Sequence, residues 1–152
     1  MKTFTTVEQA INFAINSATE CAEFFNHFSN RARNGIIRRQ FAGYSRNEYA
    51  QIAKLSVVLR EYPAFISQAF STSLSDERIE KAQCHGSSNL NYLQTLIMAM
   101  RRSQLARTLF TELASQSPDQ ESHDIFMSLA QKESTQLNGI AYEYNESLLV
   151  FS

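Results

Sequence analysis

Glu48 and Gln51 stand three residues apart, and so do Glu133 and Gln136. On a helix that spacing puts both side chains of a pair on one face. Each pair closes the same template: Phe, an apolar residue at +3, a small residue at +4, Glu at +7 and Gln at +10. The first copy is FAGYSRNEYAQ from Phe41 and the second is FMSLAQKESTQ from Phe126. A carboxylate inside a helical core can ligate a metal or pair with a cation. Two that face each other with neither would repel. The Gln amide oxygen adds only a weak, neutral donor.

The elements that must position these groups come from a repeat. Phe41 and Phe126 are 85 residues apart, and the same offset links Phe25 to Phe110 and Ala14 to Ala99. It also matches apolar to apolar at Ile11/Leu96, Phe13/Met98, Phe24/Leu109, Ile52/Leu137 and Leu55/Ile140. Such self-similarity reads as one helical hairpin present twice. Thr5 or Thr6 can cap a first helix, with Glu8 or Gln9 in its first turn. Val7, Ile11, Ala14, Ile15, Ala18, Ala22, Phe25 and Phe28 then recur at the spacing of one buried face. Asn34-Gly35 is a turn signal, and a second helix is expected from about 36 to 62, ended by Pro63. Residues 63 to 89 read as irregular, with short helices over 64–70 and from Ser75 or Asp76 to Ala82, and a loop at 86–89. A third long helix is expected over about 90–115. Ser117-Pro118-Asp119 makes a sharp turn, with Pro near the first position of a fourth helix that runs to about 148. The expected whole is all-α, one domain over 1–152: hairpin at about 5–62, crossover at about 63–89, hairpin at about 90–148.

Bulk properties agree with long helices. Of 152 residues only 4 are Gly and 2 are Pro, which depletes turns and breakers. The formal charge of −1 gives no global field for nucleic acid or anionic membrane. Cys21 and Cys84 lack the spacing of a zinc ribbon or a redox dithiol, and are too few for a disulfide scaffold. No signal peptide and no membrane span is legible, so a cytoplasmic protein is expected.

The paired motif resembles ferritin-like proteins of the rubrerythrin type. Carrying the resemblance are AEFF at Ala22–Phe25, RTLFTELA at Arg107–Ala114, and the separation of 23 residues from Phe25 to Glu48 and from Phe110 to Glu133. The resemblance implies a four-helix bundle whose hairpins build a di-iron carboxylate site from Glu and His donors. Glu48 and Glu133 match the second- and fourth-helix carboxylates of that pattern. Gln51 and Gln136 stand where it has His. Its first- and third-helix Glu positions fall at Ala18 and Ser103, give or take one residue. Two carboxylates with neutral neighbours make a poor iron site. A guanidinium from Arg101, Arg102 or Arg107 could take the metal's place as the positive charge.

Other candidates are weaker. His27, His85 and His123 have no partner at ligand spacing, and Cys84-His85 alone makes no site. Arg31, Arg33, Arg38, Arg39 and Arg46 bracket the first hairpin turn and could meet an anionic partner, although a solvated turn explains them too. The run Tyr142, Tyr144, Leu148, Leu149, Val150 and Phe151 makes an apolar tail suited to a subunit interface. The expectation is therefore a non-catalytic structural, binding or regulatory homodimer with a degenerate di-iron site and no cofactor. The competing expectation is an active di-iron oxidase or peroxidase, or iron-binding protein, with a remodelled ligand set around Glu48 and Glu133. An arginine-turn adaptor comes third.

Overall fold

Thr6 sits in extended backbone and its hydroxyl accepts from the Gln9 amide at 3.2 Å, which starts the first long helix. The computed structural model describes residues 2–83 and 91–151, with Ser73, Lys81, Val150 and Phe151 described by backbone only. The elements run β1 (Lys2–Thr6), α1 (Val7–Arg31), α2 (Gly35–Glu61), α3 (Pro63–Ile66), β2 (Ala69–Leu74), α4 (Asp76–Ala82), α5 (Tyr92–Ser115) and α6 (Gln120–Phe151). The protein is overwhelmingly α-helical. The expected loop at 86–89 lies outside the described residues.

Two local readings need correction. The stretch 69–74 is a strand, paired with β1 in a two-stranded sheet, so helix is confined to 63–66 there. The alternating Ala-Phe-Ser-Thr-Ser-Leu buries Phe70 and Leu74, and that period of two was masked by the surrounding serines. The Asn34-Gly35 turn signal falls where α1 gives way to α2, which starts at Gly35. Asn34 Oδ1 accepts from the amides of Ile36 and Ile37, and no described glycine has positive φ. Pro118 precedes the last helix, and the cap is Asp119, whose carboxylate accepts from the Ser122 amide at 2.7 Å.

The described chain divides into two compact units, one of residues 6–69 and one of residues 2–5, 70–83 and 91–151. In the first, α1 packs against α2. The contacts run in opposite senses along the two helices, so the pair is antiparallel. Phe28 meets Phe41 (ring centroids 4.7 Å apart), Phe25 meets Tyr44 (5.8 Å), and the Ser45 hydroxyl donates to the Ala22 carbonyl at 2.8 Å. Nearest the turn, the Ser29 hydroxyl donates to the Arg38 carbonyl at 2.6 Å. Phe41 has no exposed surface. Burying a phenyl ring is favourable by about 1.5–3 kcal/mol, more than a turn polar contact contributes. The aromatic seam therefore sets the register of this pair.

In the second unit α5 packs against α6, also antiparallel: Phe110 with Phe126 (6.5 Å) near the turn, and Tyr92 OH donating to Glu143 Oε1 at 2.7 Å at the far end. Asn91 and Gln94 form a reciprocal capping box at the start of α5. Ser75 caps α4, which packs on α5. Phe4 of β1 and Phe70 of β2 are both buried, with centroids 6.3 Å apart. Gln116, just past α5, acts as an extra strand to β2. Its Oε1 accepts from the Ser71 amide at 3.1 Å and its Nε2 donates to the Ser71 carbonyl at 3.3 Å.

The 85-residue offset is visible in the geometry of each unit taken by itself. Val7 and Tyr92 open their helices 85 apart, as do Gly35 and Gln120. The caps Thr6 and Asn91 keep that offset and accept from Gln9 and Gln94, which keep it too. Asn34 and Asp119 repeat the relation at the second helix of each pair. Even the contact beside the turn recurs with its sense reversed. Ser29 donates to the Arg38 carbonyl in one unit, and in the other His123 Nδ1 lies 3.0 Å from the Ala114 carbonyl.

Candidate functional site

The polar residues singled out by spacing are all buried. Glu48 and Glu133 have no exposed surface, and Gln51 and Gln136 retain under a tenth. Ala18 and Ser103 are buried as well. Helical period explains this. Phe41, Ser45, Glu48, Gln51, Leu55 and Val58 form one stripe of α2, and Phe126, Leu129, Ala130, Glu133, Gln136 and Ile140 form the same stripe of α6.

In the second unit the groups meet. Arg102 Nη1 lies 3.2 Å from Glu133 Oε1, as a hydrogen bond and an ion pair, with side chains 3% and 0% exposed. One residue along α5, the Ser103 hydroxyl accepts from Gln136 Nε2 at 3.4 Å. The two contacts tie successive residues of α5 to the Glu and the Gln of α6. Of the three arginines considered, Arg102 is the one that is buried. Arg101 is exposed and Arg107 half-buried. The choice was legible in principle, because Arg102 falls on the stripe with Thr95, Ala99, Ala106, Leu109 and Leu113.

In the first unit the residue at the place of Arg102, 85 positions earlier, is Ser17, which is half-buried. That unit thus carries a buried Glu48 with no arginine at the corresponding position of its own first helix. The repeat keeps the acid in both copies and the guanidinium in one.

The Arg102 guanidinium engages Glu133 through Oε1 at 3.2 Å and brings a positive charge to the carboxylate where a metal's charge would otherwise act. Gln136 spends its amide nitrogen on Ser103, a hydroxyl where the resemblance has a carboxylate. Among the described residues no group of three or more His, Cys, Asp or Glu side chains is placed to hold a metal ion. The donors present do not fit a di-iron centre.

The remaining candidates lie elsewhere. His27 is exposed on α1, and His123 is at the start of α6 against the Ala114 carbonyl. Cys21 is buried and disulfide-bonded, which two cysteines in the sequence gave no reason to expect. Cys84 and His85 lie outside the described residues. Among the described residues no helix is long and apolar enough to cross a membrane. Tyr142 and Leu149 of the tail are strongly exposed, and Leu148 is 39% exposed. No protein-family model matches the chain, and neither a curated protein nor a solved structure matches it significantly.

Proposed function

We propose that the chain is a non-catalytic protein of the rubrerythrin-related, ferritin-like type, whose two helix pairs belong to one four-helix bundle. A protein cation, Arg102, stands in it where metal charge would otherwise serve. Its role is structural, binding or regulatory, and it acts as a homodimer joined through the exposed face of Tyr142, Leu148 and Leu149 at the end of α6.

The observation that carries this reading is the buried Arg102–Glu133 pair. A buried carboxylate needs a counter-charge, and a guanidinium that donates to it supplies one without a metal. The four-helix arrangement is supported by the matched helix starts, caps and acid positions of the two pairs. The dimer is supported by the exposed apolar side chains of α6.

The deciding experiment is elemental analysis and visible spectroscopy of protein produced in iron-supplemented medium. The reading expects iron far below one atom per chain and no oxo-bridge bands. About two irons per chain, with such bands, would establish instead an active di-iron oxidase or peroxidase built on Glu48 and Glu133. The buried state of both acids is what keeps that second reading in view.

A further inference from the structure

The turns of the two helix pairs occupy equivalent places in the repeat and carry opposite charge. Between Glu23 and Glu48 the sequence has no Asp or Glu but has Arg31, Arg33, Arg38, Arg39 and Arg46. All five are exposed. Between Arg107 and Lys132 there is no Lys or Arg, but Glu112, Asp119, Glu121 and Asp124 are present. Glu112 is half-buried and the other three are exposed. At one equivalent position the sign itself inverts, Arg39 corresponding to Asp124; at two others an acid answers a neutral residue, Glu121 for Ile36 and the cap Asp119 for the cap Asn34.

We propose that the arginine turn between α1 and α2 docks onto the acidic turn between α5 and α6 of a second copy of this chain. Each copy then offers one basic and one acidic turn, in equal numbers and each on a rigid pair of helix ends. A net charge of −1 lets copies approach without overall repulsion, while the local fields attract. The cluster is made of arginine alone, the residue whose planar fork best matches a carboxylate. A nucleic acid or lipid surface fits it less well. No exposed aromatic interleaves the arginines to stack bases, and Ile36 is the single strongly exposed large apolar side chain of this turn. The contact joins two different turns, so it closes when two copies make it reciprocally and otherwise extends into a ring or an open chain of copies. It is separate from the apolar dimer proposed above, which salt does not weaken.

The test is sedimentation velocity of the full chain across salt and concentration. Salt-sensitive self-association is expected at about 0.05 M salt and should weaken by about tenfold or more by 0.5 M, where screening is short-ranged. Arg38→Glu with Arg39→Glu should abolish it, as should Glu121→Arg with Asp124→Arg. Mixing these two variants should restore complexes that neither forms alone. Circular dichroism confirms that each is folded, and the milder Arg38→Gln with Arg39→Gln should give a partial loss. A wild-type mass that is independent of salt, or a mixture that stays unassociated, overturns the proposal. So does arginine-dependent binding to anionic vesicles or to DNA with no self-association.

Discussion

Arg102 on α5 and Glu133 on α6 join across their helix pair at 3.2 Å, with almost no solvent reaching either side chain. The pair is costly to assemble, because two charges leave water, and costly to break, because one would be stranded. Its contribution shows only when the two halves are removed separately and together.

Arg102→Met alone should destabilise the protein by about 3–5 kcal/mol, since Glu133 is left buried with its counter-charge gone. Arg102→Met combined with Glu133→Leu should recover most of that loss. Urea denaturation of both variants checks this. A single variant within about 1 kcal/mol of the parent would mean that the ion pair matters little.

A metal should enter the second helix pair only when the arginine leaves. Ser103→Glu with Gln136→His adds two ligands beside Glu133, yet Arg102 still competes for that carboxylate. With Arg102→Ala added, the variant should bind cobalt(II) and show its visible bands. Equal binding with and without Arg102 would refute the competition.

The aromatic seam should carry more stability than any polar contact beside it. Phe41→Ala is expected to cost about 3–5 kcal/mol, as the ring is fully buried against Phe25, Phe28 and Tyr44. Phe126→Ala, its counterpart, should fall in the same range. Thermal unfolding of the two variants gives the comparison.

Caps at matching repeat positions should have matching strengths. Asn34→Ala and Asp119→Ala should each cost about 1 kcal/mol, because each removes the acceptor for the first amides of its helix. Gln116→Leu should cost a similar amount, by stripping two hydrogen bonds from the backbone of Ser71. Chemical denaturation measures all three, and a neutral Gln116→Leu would show that water replaces the amide without loss.

Much of the helical layout was legible because it rests on local rules. The Phe41 and Phe126 templates fixed which face of each helix is inward, so the burial of Glu48, Gln51, Glu133 and Gln136 follows from period alone. The caps at Thr6 and Ser75 are equally local. β2 was hidden because its alternation is written in Ser, Thr and Ala, and its stability comes from pairing with β1 and from Gln116, both distant in sequence. The ion pair could be narrowed to three arginines, but choosing Arg102 required the phase of α5. The disulfide at Cys21 was hidden because it depends on how distant parts of the chain approach, which the spacing of two cysteines does not encode.

The strand at the very beginning of the chain pairs with one that begins only at Ala69, and Phe4 is buried with the unit completed by α5 and α6. Residues 6–69 form a continuous unit that can close while the ribosome is still making the rest. Residues 2–5 must wait until β2 has been made before their own strand partner exists. Strand β1 is thus paired only after the α1–α2 pair that follows it in the sequence is complete.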